Sequence, residues 1–374
     1  MYRGIEGMRA WLAWSVVVGH ITLWTGLGTR FPSLKPMLPG GNFAVLVFLI
    51  ISGFVITNLI VEKRESYGVY LKRRFLRIYP AYLVALLLGV VAARLGYDAL
   101  LQYPLTDQLQ VVHFAAQLQE MRSHFLEHFA AHLLLIHGAI PNTVLPESQY
   151  AFVVQGWSLS LEWQFYLLAP LAVRGLSSRR WRFVVIALFV VAAVAYRFLL
   201  SGSFYSPSFL PGAGIYFLIG IGSRLVIDRL PKLRSFPYAF ALGCLGLALI
   251  AKEMIPVAIW LCLMLYMKTA SGASWALDSK VARWAGSRSY SVYLVHEPIL
   301  MLASWMAIAQ MHLGFVGTFL LVSAMTIGVT LLASEALYRY VEKPCIDFGK
   351  RKRSPKLGNQ VESALQIAPG PASS

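Results

Sequence analysis

The sequence predicts an all-α fold, a polytopic membrane helix bundle of about ten spans plus one interfacial or re-entrant helix. Three observations predict it. The 374-residue chain is 57% hydrophobic and 13% charged, with a mean hydropathy of +0.62, which is too apolar for a soluble domain. Apolar runs long enough to cross a hydrocarbon layer of about 30 Å recur along it. The basic residues gather in short segments between those runs, as they do in loops retained in the cytosol.

Taken in order, spans are expected near 10–28, 43–61, 79–95, 152–172, 183–200, 210–227, 237–251, 254–267, 289–308 and 315–338. The first run has no small-residue cleavage site behind it, so it reads as a retained anchor. The clusters that orient the bundle are Arg3 and Arg9, Lys63 to Arg77, Arg174 to Arg182, Arg224 to Arg234, Lys268 to Arg288, and Arg339 to Lys356. Residues 96–151 hold Asp98, Asp107, Glu120, Glu127 and Glu147 against Arg122 alone, and are expected outside. With ten spans every cluster falls inside, and both termini are cytosolic.

That parity bears on "SHFLEHFAAHLLLIHG" at 123–138. If this segment spanned, every later loop would be inverted, so it is expected to lie at the interface or to re-enter. His124, His128 and His132 share one side at i, i+4, i+8 spacing, with Glu127 beside them. "HFLEH" also spells the HxxEH of an inverted zinc-protease motif. No third ligand follows, so a polar helix face at the membrane surface is the expectation. Cys244, Cys262 and Cys345 have no CxxC spacing. No metal site and no disulfide framework are expected.

The net charge of +16 does not point to nucleic acid, because the basic residues sit at span ends rather than on one soluble face. Topology and anionic membrane lipid explain them. The expected organisation is one integral-membrane domain over 1–346 and a basic, disordered cytosolic tail over 347–374.

Several polar residues lie inside apolar runs. Arg9 and His20 are eleven residues apart, three helical turns plus about 20°, so they share a face about 16 Å apart along the axis. An ionisable residue at the depth of His20 is a functional candidate, although a lone histidine can simply bridge helices. "RRFLRIYP" places Arg73, Arg74 and Arg77 before a span, and clustered guanidiniums match phosphates through bidentate hydrogen bonds. "WSLSLEWQFY" puts Ser158, Glu162 and Tyr166 at i, i+4, i+8, carrying a carboxylate into a span. "SYSVYLVHEP" adds His296 and Glu297.

These segments, with "FLIISGFVIT" at 48–57 and "YRYVEKP" at 338–344, occur in the order typical of the acyltransferase type 3 family. The chain resembles that family of bacterial integral-membrane O-acyltransferases from residue 5 to about 346. It departs from the family at Glu6, where Asp is common, and at Trp163, where a second acidic residue is common.

The resemblance implies transfer of an acyl group, usually acetyl from acetyl-CoA as co-substrate, to a hydroxyl of a cell-envelope glycan, exopolysaccharide or other glycosylated acceptor. It implies no bound cofactor and a bacterial inner-membrane location. A sugar hydroxyl needs a general base with a pKa near working pH, a role that suits His20, and the same imidazole suits a covalent acyl carrier equally. Arg9, Arg73, Arg74 and Arg77 are expected at the CoA phosphates. Glu162 is expected either to orient His20 or to bind acceptor hydroxyls, and Ser158, Tyr166 and His296 to line the substrate path. The competing classes are a secondary transporter or flippase, where buried His, Glu and Arg serve as relays, and a polytopic assembly protein without chemistry.

Overall fold

The computed structural model describes residues 2–37, 41–204, 206–269 and 274–350. Thirteen helices organise them: α1 (Ile5–Trp24), α2 (Gly41–Lys63), α3 (Tyr67–Leu101), α4 (Gln108–Ser123), α5 (Phe125–Leu133), α6 (Gly156–Ser177), α7 (Arg182–Ala195), α8 (Leu210–Ile227), α9 (Tyr238–Ile250), α10 (Ile255–Lys268), α11 (Lys280–Trp305), α12 (Phe315–Leu337) and α13 (Lys343–Lys350). The rest of the described chain is short helical turns and loops, and it forms no β-sheet.

Six helical stretches are long and apolar enough to cross a bilayer: Gly41–Lys63, Tyr67–Leu101, Arg182–Ser203, Leu210–Ile227, Lys280–Gln310 and Phe315–Lys350. This is the all-α membrane bundle expected, but length and composition do not establish ten spans. α1 and α6 are long but interrupted by polar groups, Arg9 and His20 in one, Ser158, Ser160, Glu162 and Gln164 in the other. α9 and α10 have 13 and 14 residues. At 1.5 Å per residue each reaches about 20 Å, short of the hydrocarbon thickness.

Burial separates core from periphery. In Lys280–Gln310, 72% of the apolar window is enclosed, against 6% in Arg182–Ser203. α11 is therefore the central post, and α7 presents its surface to lipid. Packing between apolar helices in lipid depends on small residues that let backbones approach. A Cβ at Gly286 of α11 would lie 2.0 Å from the Glu6 carbonyl oxygen of α1, and one at Gly220 of α8 would lie 2.1 Å from that of Ile50 in α2. Either substitution would separate the pair. At the foot of α1, Asp278 accepts hydrogen bonds from the Gly4 amide (2.9 Å), Arg3 Nε (3.3 Å) and Tyr266 (2.6 Å). Burial pushes its carboxyl up, but these donors outweigh it and hold the group below the usual range.

The segment 123–138 does not form one helix. His124 separates α4 from α5, whose nine residues reach about 14 Å, so it cannot span. Its expected polar face does not lie on the membrane surface, because His128, His132 and His137 are fully buried. The HxxEH histidines flank one carboxylate from different environments: exposed His124 lies 3.0 Å and buried His128 3.8 Å from Glu120.

His132 Nε2 donates to the Ser148 carbonyl (3.0 Å), which leaves Nδ1 to accept from the Tyr82 hydroxyl (3.0 Å). The His137 ring stacks on it at 3.8 Å. The tail boundary also moves, since α13 carries ordered structure through Lys350; positions 351–374 lie outside the described residues.

The three buried histidines make the α5 region acid-sensitive. Burial lowers the pKa of His128, of His132 strongly, and of His137 to about 4. The unfolded segment would take up protons below about pH 6.5 while the folded one stays neutral. Stability from these groups is thus complete above that value and drains away as pH falls toward 4. Hydrogen-exchange protection over 124–156, corrected for the intrinsic pH dependence of amide exchange, should fall between pH 7.5 and about 5, and His137→Phe, which keeps a stacked ring, should blunt the change.

Candidate active site

His20 of α1 meets the two consecutive polar residues of α11. Its Nδ1 hydrogen-bonds the Glu297 carboxylate and lies 3.2 Å from His296 Nε2. His296 Nδ1 donates to the Val292 carbonyl (3.2 Å) one turn back, so its Nε2 carries a lone pair. With acceptors on both His296 and Glu297, the proton of neutral His20 belongs on Nδ1. Its Nε2 is then the free base.

Glu297 and His296 are fully buried, and the His20 side chain is 20% exposed. A Cβ at Gly41, the first residue of α2, would sit 3.8 Å from His20 Nε2, so that atom faces the glycine at the start of α2. Among the described residues these three are also the one group of His, Cys, Asp or Glu whose ligand atoms converge, all within 4.8 Å.

The local sequence of α11 explains how the group is held. Pro298 has no N–H, so the Leu294 carbonyl loses its intrahelical donor. Gln155 Nε2 replaces it, donating to Leu294 (3.0 Å) and to Tyr293 (3.1 Å). The turn bearing His296 and Glu297 is thereby fixed to the start of α6.

On the side where the basic clusters lie, a cavity of about 440 Å³ is lined by Arg9, Arg74, Arg77, Ser158, Glu162, Tyr166 and Tyr293, and by Lys343, Ile346, Asp347 and Lys350 of α13. The α13 residues recur at i, i+3, i+4, i+7, one helical face turned to the cavity. The arginines differ in what they already hold. Arg77 is ion-paired with Glu342, which is fully buried and also accepts from Ser291 (2.6 Å). Arg73 pairs with Glu65 and donates to the Gly349 carbonyl, and it is not among the residues lining this cavity. The buried Nε atoms of Arg9 and Arg74 have no hydrogen-bond partner among the described residues.

Glu162 accepts from Ser52 (2.6 Å) and Tyr166 (2.5 Å) on the cavity wall. The structure therefore keeps Glu162 with the arginines and gives the orientation of His20 to Glu297. That glutamate was visible in the sequence as the second letter of "HEP", but nothing in one sequence pairs it with a residue 277 positions earlier. Of the α13 residues on the cavity, Lys343 and Ile346 lay inside the expected membrane domain without a role, and Asp347 and Lys350 read as the start of a solvated tail.

A family model described as Acyltransferase domain matches residues 2–335. The chain belongs to this acyltransferase family. It is 22% identical to O-acetyltransferase OatA of Staphylococcus aureus, over 91% of this chain and 56% of that protein. It is 26% identical to Acyltransferase MdmB of Streptomyces mycarofaciens, covering 84% of this chain and 83% of that one. It is also 26% identical to Exopolysaccharide production protein ExoZ of Rhizobium meliloti, covering 84% and 92%. The chain thus spans just over half the length of OatA. No solved structure matches. Within the acyltransferase match lie His20, His296, Glu297 and the cavity arginines.

The Arg77–Glu342 pair ties α3 to the end of α12, with Glu342 wholly buried. Removing one member strands a buried charge. Glu342→Ala should destabilise the detergent-purified protein by roughly 3 kcal/mol, seen as a lower melting temperature, and Arg77→Leu combined with Glu342→Leu should recover most of the loss.

Proposed function

We propose that this protein transfers an acyl group, acetyl in the simplest case, from acyl-CoA held in the basic cavity to a hydroxyl of a cell-envelope glycan or other glycosylated acceptor reaching His20 from the opposite side. The reading rests on one observation: a histidine with its Nδ1 fixed by a buried glutamate, set about 16 Å along α1 from Arg9, whose buried Nε has no hydrogen-bond partner among the described residues. The names of OatA and ExoZ, an O-acetyltransferase and an exopolysaccharide production protein, support the acyl group and the polysaccharide acceptor.

The donor would enter from the cytosolic face. Arg9 and Arg74, with Lys343 at the mouth, offer charge and hydrogen-bond donors to the CoA phosphates. Arg77 is already neutralised by Glu342 and acts as a positioning residue for them. The pantetheine arm extends along the cavity toward Ser158 and Tyr293. His20 Nε2 takes the proton from the acceptor hydroxyl as its oxygen attacks the thioester carbonyl. The tetrahedral intermediate collapses with cleavage of the C–S bond. The imidazolium, stabilised by Glu297, returns the proton to the departing thiolate and leaves CoA-SH. If His20 carries the acyl group instead, the same Nε2 is the nucleophile and Glu297 has the same task.

Replacing either partner separates this chemistry from a structural role. His20→Gln and Glu297→Gln should keep the fold and the binding of acetyl-CoA, yet lower acyl transfer by roughly 10²-fold or more. Near wild-type transfer by a folded His20→Gln protein would end the mechanism. Purified protein should also consume acetyl-CoA in the presence of acceptor, which a transporter or flippase would not.

The cytosolic assignment of the cavity has its own check. A cysteine introduced at 110 should react with an impermeant thiol reagent applied to intact cells, and one at 178 should not.

A further inference from the structure

A second, smaller cavity lies at the turn where α2 hands over to α3. Its volume is about 90 Å³, several times the roughly 10–15 Å³ that admits one water. The polar residues around it are Lys63, Glu65, Tyr67, Tyr70, Arg73 and Arg74. Arg73 already holds Glu65 and the Gly349 carbonyl, so that pair adds no net charge. Lys63, exposed at the end of α2, and Arg74, whose guanidinium carbon lies 5.9 Å from the centre of the Tyr166 ring, have no carboxylate partner among the described residues.

Two hydrogen-bond donors are buried in this wall without acceptors. The Tyr70 hydroxyl and Arg74 Nε have no partner among the described residues, and Tyr70 is only 5% exposed. The two side chains are near enough to interact electrostatically. Tyr70 closes the first turn of α3, and that turn is itself open. The side chain of Ser66 before it makes no capping hydrogen bond, no acidic residue lies in it, and a Cβ at Gly68 would meet nothing within 4 Å. A helix start of this kind offers unpaired amides and a partial positive charge. Each unsatisfied group here is a donor or a cation, and an anion answers all of them at once.

We infer that this second cavity is a binding site for a phosphate group. Phosphate brings several acceptor oxygens on one small body, which suits a guanidinium, an ammonium, a hydroxyl and a helix start converging on one space. Two sources meet it there. Tyr67 is half exposed and donates to the Leu167 carbonyl (3.0 Å), and Leu167, Leu168 and Leu171 of α6 are exposed beside it, so the cavity sits at the lipid edge of the bundle, where a phospholipid headgroup arrives. Inorganic phosphate arrives from the aqueous side, past Lys63. Arg74 is the one residue that lines both this cavity and the larger one.

The test takes the full-length protein, purified in detergent and stripped of bound lipid. It adds phosphatidylglycerol, diacylglycerol as the same apolar body without phosphate, or inorganic phosphate, and reads bound lipid by native mass spectrometry and stability by melting temperature. Wild type should retain phosphatidylglycerol, melt higher with it, and ignore diacylglycerol. Lys63→Gln combined with Tyr70→Phe should weaken that binding by about 10-fold, the scale of a lost charge-assisted hydrogen bond. Tyr70→Phe alone should leave the melting temperature of the lipid-free protein unchanged, because a hydroxyl without a partner stabilises nothing there. Lys63→Gln alone changes an exposed side chain, keeps the fold, and should weaken binding by a smaller factor.

Inorganic phosphate that raises the melting temperature of wild type but not of the double variant, with phosphatidylglycerol no better than diacylglycerol, would uphold the site and assign its ligand to solution. Equal phosphatidylglycerol binding by wild type and the double variant, with no variant-sensitive response to inorganic phosphate, would overturn it. A stripped wild type that responds to neither phosphate-bearing probe would overturn it as well. None of these readouts uses acetyl-CoA, so the donor assignment and this site stand or fall separately.

Discussion

Burial of charge within a membrane bundle is the constraint from which the rest of this structure follows. An ionisable side chain in the hydrocarbon region is held only if a partner meets it there. His20 and Glu297 come from helices nearly the whole chain apart, so their contact requires α1 and α11 to lie against each other with little tolerance. Gly286, with Glu6 directly opposite, is what permits that approach. The carbonyl left open by Pro298, the side-chain amide of Gln155 and the central burial of α11 are then ways of keeping one carboxylate in place.

The basic residues obey the same rule and can be sorted by it. Arg77 and Arg73 have carboxylates, and their charge is largely used inside the protein. Arg9 and Arg74 have none among the described residues, their buried Nε atoms lack a hydrogen-bond partner there, and both residues line the cavity. An unsatisfied buried donor is costly unless something polar arrives. The pair therefore defines where an anionic ligand gains most, more sharply than a count of arginines in "RRFLRIYP" does.

The sequence made the bundle legible because hydrophobic length and charge clustering are one-dimensional properties. His20, Arg9 and the cavity serines and tyrosines were visible for the same reason: a polar residue in an apolar run stands out. Pairing is not one-dimensional. Glu162 and Glu297 are both glutamates inside spans, and only the fold reveals that the first faces Ser52 and Tyr166 and the second faces His20. The histidines of 124–137 read as a surface stripe because spacing places them on one side of a helix, but not which side is buried. The second half of α13 was assigned to a tail because its polar residues look solvated until α3 is packed against it, with Leu76 and Arg73 lying beside Gly349.

Gln155 joins two parts of the molecule that would otherwise be independent. Its backbone begins α6 at the end of the loop that contains Ser148 and the histidine stack, and its side chain caps the carbonyls that Pro298 leaves open. A helix interrupted by proline behaves as a joint, and its angle is set by whatever occupies the gap. The loop therefore serves as the clasp on that joint. Strain applied to the loop and the aim of the Glu297 carboxylate become a single mechanical coordinate, and His20 is only as steady as the loop that carries the histidine stack.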